Sequence, residues 1–346
     1  MSSAKRLCLV PRIPGIAGPA NFQRRLAAGL ARRGVGICYD LADRPYQAVL
    51  VIGGTRNLIA LWRARREGIP VVQRLNGMNW IHRRRRTGLH HFLRAEANNV
   101  LLRLIRDRLA GAVVYQSRFA QNWWERTYGP APAPAHVVYN GVPLESYNPN
   151  GREQPPSDRW RLLVVEGNLA GGYEVGLEPA IGLGQRLQEL EDRPIEVVVA
   201  GRAPQALKQN WESRAGVPLR WLDQVAPDAI PALDRSAHLL YAADLNPACP
   251  NTVLEALACG LPVVAFATGA LPELVTGDAG RLAAYGGDPW RLDAPDVEAL
   301  GRAAQEVLHD QARFRPSARA CAEAAFGLEP MVDGYLRALG WDRSSP

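Results

Sequence analysis

The chain has 346 residues, 47% of them hydrophobic and 22% charged, with a formal net charge of +7. That length suits two domains of ordinary size, and that balance excludes a disordered or fibrous chain. The positive excess favours anionic partners without choosing among nucleotide phosphates, acidic lipid headgroups and nucleic acid.

The opening M-S-S-A-K-R-L-C-L-V runs straight into a strand-like segment with no signal-peptide core, and no later apolar run approaches the ~20 residues of a membrane helix. A cytoplasmic protein is expected. Cysteines 8, 38, 249, 259 and 321 form no CxxC pair and have no histidine at metal-ligand spacing. They read as small buried hydrophobes, and no metal site is expected.

In the first half, strand-like apolar runs at Leu7–Val10, Ala48–Ile52, Pro70–Leu75, Ala112–Tyr115 and His136–Tyr139 alternate with helical patterns at Phe22–Arg33, Asn57–Glu67, Asn79–Leu109 and Arg118–Tyr128. Continuously apolar strands separated by helices predict a parallel sheet covered on both faces, so residues 1–150 read as one Rossmann-like doubly wound domain. The polar stretch Asn148 to Pro156 has the composition of an interdomain connection. The rhythm then restarts, with strands at Arg161–Val165, Ile195–Ala200, Leu219–Leu222, His238–Tyr241 and Val263–Phe266 giving a second such domain over 151–325. Two domains of this kind are expected to face each other across a cleft, with ligands at the carboxyl ends of the strands. A last helix, Leu328 to Trp341, carries Met331, Val332, Tyr335, Leu336 and Leu339 on its apolar side.

One segment concentrates the most chemistry. In Asn246 to Val264, N-P-A-C-P-N-T-V-L-E-A-L-A-C-G-L-P-V-V, Pro250 and Asn251 open a helix that Gly260 and Pro262 end. Glu255 is its only charge, and a carboxylate on an otherwise apolar helix is costly unless something pairs with it.

This pattern, followed by G-A-L-P-E-L-V and D-A-G-R-L, resembles the donor-binding segment of the retaining family-four (group 1) glycosyltransferases, which have the GT-B fold. The resemblance implies a metal-independent enzyme that moves a sugar, with retention, from a UDP or GDP sugar to a glycan, lipid-linked or small-molecule acceptor, and that uses no cofactor. It places the donor diphosphate at Pro250, Asn251 and Thr252, where helix N-terminal amides favour anions, and the ribose hydroxyls on Glu255. Glu273 is a further donor-side contact or a carboxylate stabilising a helix first turn. The last helix, 326–346, would cross back onto the first domain or remain on the second.

Other loops follow strand ends. Pro14 to Phe22 is similar to the family's first-domain glycine loop, where Gly15, Gly18 and Asn21 contact the acceptor side or simply form a tight turn. In Gln73 to Trp80, Asn76 stands where related transferases often have histidine; it can orient a hydroxyl but cannot act as a base. Arg74 and Asn79 are acceptor-side contacts or loop caps. Val138-Tyr139-Asn140-Gly141-Val142 matches another family strand end.

Two departures stand out. The arginine and lysine that such enzymes use against the leaving diphosphate are absent from Val165 to Tyr173; Gly167, Gly171 and Gly172 would offer amides instead, and Arg202 a cation from the next strand end. The glutamate expected eight positions before Glu255 is Pro247, leaving Asn246, Asp244 or backbone near Cys249 to face the sugar. These departures motivate an alternative: a catalytically silent sugar-nucleotide or glycan binding protein of the same fold.

Arg83 to Arg108 reads as a long basic helix whose Leu89, Phe92, Leu93, Leu101, Leu104 and Ile105 face the core. Its arginines form a solvated face or meet an anionic membrane leaflet or charged glycan at the periphery. Nucleic acid is not favoured. There is no D-x-D, HExxH, GxSxG or GxxxxGK[ST] pattern, which removes support for metal-dependent transferases, elbow hydrolases and P-loop enzymes.

Overall fold

The computed structural model describes residues 5–169 and 173–341. The chain divides into two compact units, Met1–Gly141 with Gly327–Pro346, and Val142–Phe326. The division thus falls at Gly141, and residues 142–150, expected with the first domain, belong to the second unit.

Unit 1 contains β1 (Arg6–Val10), α1 (Gly18–Arg32), β2 (Gly36–Cys38), β3 (Ala48–Ile52), α2 (Leu58–Arg66), β4 (Val71–Leu75), α3 (Leu89–Leu104), β5 (Ala112–Tyr115), α4 (Arg118–Tyr128) and β6 (Ala135–Val137). Its strands form one parallel sheet in the order β2-β1-β3-β4-β5-β6. Alternation along β1 explains the two-sided core: Leu7 and Leu9 pack with Phe22, Leu26 and Leu30 of α1, while Cys8 and Val10 pack with Leu61 and Ala64 of α2.

Unit 2 contains β7 (Trp160–Asn168), α5 (Leu177–Leu190), β8 (Ile195–Arg202), α6 (Gln205–Glu212), β9 (Leu219–Leu222), α7 (Ile230–Arg235), β10 (Leu239–Tyr241), α8 (Asn251–Ala258), β11 (Val263–Phe266), α9 (Leu271–Leu274), β12 (Gly280–Ala283), α10 (Val297–His309) and α11 (Gln311–Ala325). Its parallel sheet runs β12-β11-β10-β7-β8-β9. The final helix, α12 (Leu328–Ala338), belongs to unit 1, where Met331, Val332 and Tyr335 join the α1 side of the core. Phe22 and Tyr335 pack as a tilted pair with ring centroids 5.3 Å apart. Gly141 is required there, because an added methyl would come within 3.0 Å of the Leu328 Cα.

The helix expected over Asn79–Leu109 is corrected. A 3-10 turn spans Ile81–Arg83, Gly88 takes φ 84°, and only Leu89–Leu104 is α-helical, with a wider turn over Ile105–Leu109. Glu96 of α3 holds the turn: it accepts from Arg83 Nη2 at 2.8 Å and lies 2.8 Å from His82 Nε2, and the Arg83 guanidinium, first, pulls its carboxyl down to about 2. The expected core-facing stripe is corrected too. Ile105 is buried, but Leu89 is 75%, Leu93 59%, Leu104 42% and Phe92 38% exposed. No helix among the described residues is long and apolar enough to cross a membrane.

Candidate functional site

Doubly wound sheets bind ligands where the chain reverses its direction of winding, beyond the carboxyl ends of the two strands that flank the reversal. In unit 2 those strands are β7 and β10, which are hydrogen-bonded neighbours. Glu166 lies two residues before the end of β7, and Asp244 follows β10. Burial, then the charge of Asp244, raises the Glu166 carboxyl to about 8, so Glu166 keeps its proton at neutral pH. Asp244 is on the solvent-exposed side of this pair, and its charge adds to the rise of Glu166.

The chain then passes Asn246 and enters α8. Asn246 is one of two non-glycine residues with positive φ, at 54°, among the described residues. It is 5% exposed, and its Nδ2 has no hydrogen-bond partner. A left-handed backbone and an orphaned buried amide on one residue make Asn246 a candidate site position. The neighbouring turn is closely fitted: the amide of Ala270 donates to the Pro247 carbonyl at 2.8 Å, and Gly269 at φ 60° leaves no room for a side chain against Pro247. Thr268, 5% exposed, has an equally orphaned hydroxyl.

Helix α8 begins after Pro250 with no side-chain cap, so Asn251 and Thr252 lead a bare N-terminus, and it stops at Gly260, φ 69°. Glu255 is 3% exposed. Its negative charge helps hold the carboxyl of Asp234 in α7, itself 1% exposed, well above the usual range, after the larger contribution of burial. Glu273 is half-buried in the first turn of α9. Gly167 is exposed at the end of β7, while Gly171 and Gly172 lie outside the described residues. Arg202 ends β8, one strand beyond β7 from β10, and its guanidinium donates to Gln224 Oε1 at 3.2 Å, on the β9 side. Among the described residues no group of three or more His, Cys, Asp or Glu side chains could hold a metal ion.

In unit 1 the reversal lies between β1 and β3. The loop after β1 carries Gly15, at φ 89° in open space, and Gly18 begins α1. Gln23 ties the loop down, donating to the Pro11 carbonyl at 2.8 Å and accepting from the Ile13 amide at 2.9 Å. Asn21 accepts from Arg24. Asn79 is held as a cap: its amides donate to Asn99 Oδ1 at 3.0 and 3.2 Å, and Asn99 donates back to its carbonyl at 2.9 Å.

Beside this loop, at the ends of β4, β5 and β6, three amides are linked to one guanidinium. Arg74, 1% exposed, donates to Asn76 Oδ1 at 2.8 Å and to Asn140 Oδ1 at 3.0 Å, and lies 3.7 Å over the Phe22 ring. Asn140 Nδ2 donates to Gln116 Oε1 at 3.3 Å, and Gln116 Nε2 donates to Asn76 Oδ1. A guanidinium has donors only, so it dictates the orientation of every amide in the ring. Asn76 therefore has its oxygen occupied twice, which leaves its Nδ2 hydrogens as the part of the amide able to meet a ligand. Trp124 Nε1 fixes its backbone carbonyl at 2.7 Å. Asn76 offers a ligand a donor and no acceptor.

Glu166, Gln116 and Asn140 carry roles that the sequence reading did not assign. Glu166 lies in the last residues of β7, and Gln116 and Asn140 follow β5 and β6, so the carboxyl-end rule is the signal that marks them.

Comparisons with known proteins bear on the family and the fold. Residues 180–310 match the model of "Glycosyl transferases group 1" and residues 41–146 that of "Glycosyltransferase Family 4". A D-inositol 3-phosphate glycosyltransferase from Salinispora tropica is 27% identical over 239 residues, 63% of this chain and 45% of that protein, so the match spans less than half the relative's length. The fold is similar to that of a sucrose-phosphate synthase from Thermosynechococcus elongatus, with TM-score 0.73, 13% identity and coverage of 95% and 96% of the two chains. It is also similar to Anabaena HepE in complex with UDP-glucose, with TM-score 0.67, 19% identity and 97% and 99% coverage. WaaG, a glycosyltransferase involved in lipopolysaccharide biosynthesis, gives TM-score 0.67 at 14% identity over 98% and 100% of the chains.

Proposed function

Because the chain belongs to the group 1, family four glycosyltransferases and has the GT-B fold, we propose that it transfers a sugar from a nucleoside diphosphate sugar to an acceptor hydroxyl, with retention and without a metal. The observation that carries the reading is the bare N-terminus of α8, next to the β7–β10 reversal, with one acid at Glu255 a turn inside. Helix amides and dipole bind the diphosphate there, and Glu255 takes the ribose hydroxyls. UDP is the first nucleotide to test, since HepE binds UDP-glucose.

In the proposed step the bond from the anomeric carbon to the diphosphate oxygen breaks. The acceptor oxygen bonds to that carbon from the same face, and its proton passes to the leaving diphosphate. The protein's contribution is electrostatic, from α8 amides aimed at the developing charge. In unit 2 Asp244 and Asn246 face the transferred sugar where Pro247 offers no polar side chain; in unit 1 Asn76 orients an acceptor oxygen by donating to it.

The position of Arg202, bonded to Gln224, favours a second reading, a silent binder of sugar nucleotides. A thermal-shift panel of UDP, GDP and ADP, each free and as sugar conjugates, tests both. A preferred nucleotide raises the melting point as its affinity dictates. Release of free nucleotide from the preferred conjugate supports transfer or hydrolysis; tight binding with no turnover across the panel supports the silent protein, and no shift with any nucleotide refutes both.

A further inference from the structure

We propose that α2 and α3 form an interfacial surface by which this protein sits on an anionic lipid bilayer. Every exposed large hydrophobic side chain found among the described residues lies on these two helices: Ile59 and Trp62 on α2, and Leu89, Phe92, Leu93, Val100 and Leu104 on α3. The spacings of four, seven and four residues separating Leu89, Leu93, Val100 and Leu104 bring them onto one side of α3. At its far end this stripe meets α2 in a groove of about 390 Å³ lined by Leu58, Ile59, Trp62, Leu104, Arg108 and Leu109. A contiguous apolar patch of this kind marks an interaction surface.

Charge identifies the occupant. Residues 56–108 hold thirteen arginines against three carboxylates, a net +10 in a chain whose total is +7. Arg63, Arg84, Arg86 and Arg94 are exposed, and Arg66 lies 4.9 Å over the Trp62 ring. Apolar side chains at the centre, arginines around them and an indole among them are the composition of a helix that lies in the headgroup region of an acidic leaflet. A second copy of this chain would bring two strongly positive surfaces together, and a purely polyanionic glycan would leave the leucines in water. The surface is independent of the proposed transfer reaction and is tested without it.

The test is flotation of the full chain with vesicles of phosphatidylcholine alone and of phosphatidylcholine mixed with phosphatidylglycerol, at low and high salt. Binding is expected on the mixed vesicles, falling with salt. The double variant Arg84→Ser/Arg86→Ser is expected to lower the partition coefficient on mixed vesicles roughly 25-fold. Leu89→Ser/Leu93→Ser is expected to lower it about tenfold or more for each leucine, even at high salt. Because all four side chains are exposed, both variants should keep the parent melting temperature. The proposal is overturned if mixed vesicles recruit nothing at low salt. It is equally overturned if the leucine variant floats like the parent, which would mean adsorption by charge alone, or if sedimentation velocity shows a dimer that Leu93→Ser dissolves while vesicles stay unbound.

Discussion

Replacing Arg74 with methionine removes the group that sets the direction of the amide ring while keeping most of the buried volume. Asn140 Oδ1 loses its 3.0 Å charge-assisted donor in a residue 4% exposed, a bond worth about 1.5–3 kcal/mol. Asn76 Oδ1 retains Gln116 and loses less. The 3.7 Å stack over Phe22 adds about 2 kcal/mol for a desolvated cation over a ring. Relief of the burial of a positive charge offsets part of this, so a net loss of about 2–3 kcal/mol in unit 1 is expected. Urea unfolding followed by tryptophan fluorescence measures it. The functional effect is separate: with Arg74 gone, Gln116 is the remaining side-chain donor to Asn76 Oδ1 and no longer has its own orientation set by a guanidinium, and a contact group that loses its fixed geometry costs on the order of a hundredfold in kcat/KM. Arg74→Lys keeps the charge but cannot reach both oxygens in the same fork, and should fall between the two. An Arg74→Met variant that unfolds at the parent midpoint, with parent kinetics, would refute the idea that one guanidinium orients the ring.

Glu255→Ala is expected to weaken nucleotide binding roughly tenfold to hundredfold, the loss of hydrogen bonds donated by ribose hydroxyls to a carboxylate, measured by calorimetric titration with UDP; an unchanged Kd would count against the donor assignment. Glu166 gives a pH signature. Its carboxyl titrates near 8 in the fold against an ordinary 4.5, so it is protonated in both states at low pH and contributes nothing there. As pH rises from 4.5 the unfolded chain ionises first, and stability falls until the folded group also ionises near 8. Glu166→Gln should therefore gain in melting temperature over the parent between pH 5 and 8, and parallel melting curves would show that Glu166 ionises normally. Gly201→Ala should destabilise unit 2 by about 3 kcal/mol or more, since a methyl there collides with the Glu166 carbonyl at a φ of 150°; a parent-like midpoint in urea would show that β8 yields at this point.

Much of this architecture is local and so was legible in the sequence. The continuously apolar runs became the central strands of two parallel sheets, because a strand buried on both faces must be apolar at every position. Helix α8 begins and ends where proline and glycine place it, because those residues act on their own backbone. The short edge strands β2 and β12 escaped notice, since G-I-C and G-R-L-A bury too little to stand out. The amide ring joins Arg74 to Asn140 and Gln116 to Asn76, partners separated by 66 and 40 positions, and no local pattern encodes such a meeting. The helix expected over 79–109 shows the deeper limit. Hydrophobicity told which side chains of α3 prefer to leave water, but only the packed fold decided that Leu89, Leu93 and Leu104 stay exposed among the described residues. Burial depends on which neighbours arrive, and that is settled in three dimensions.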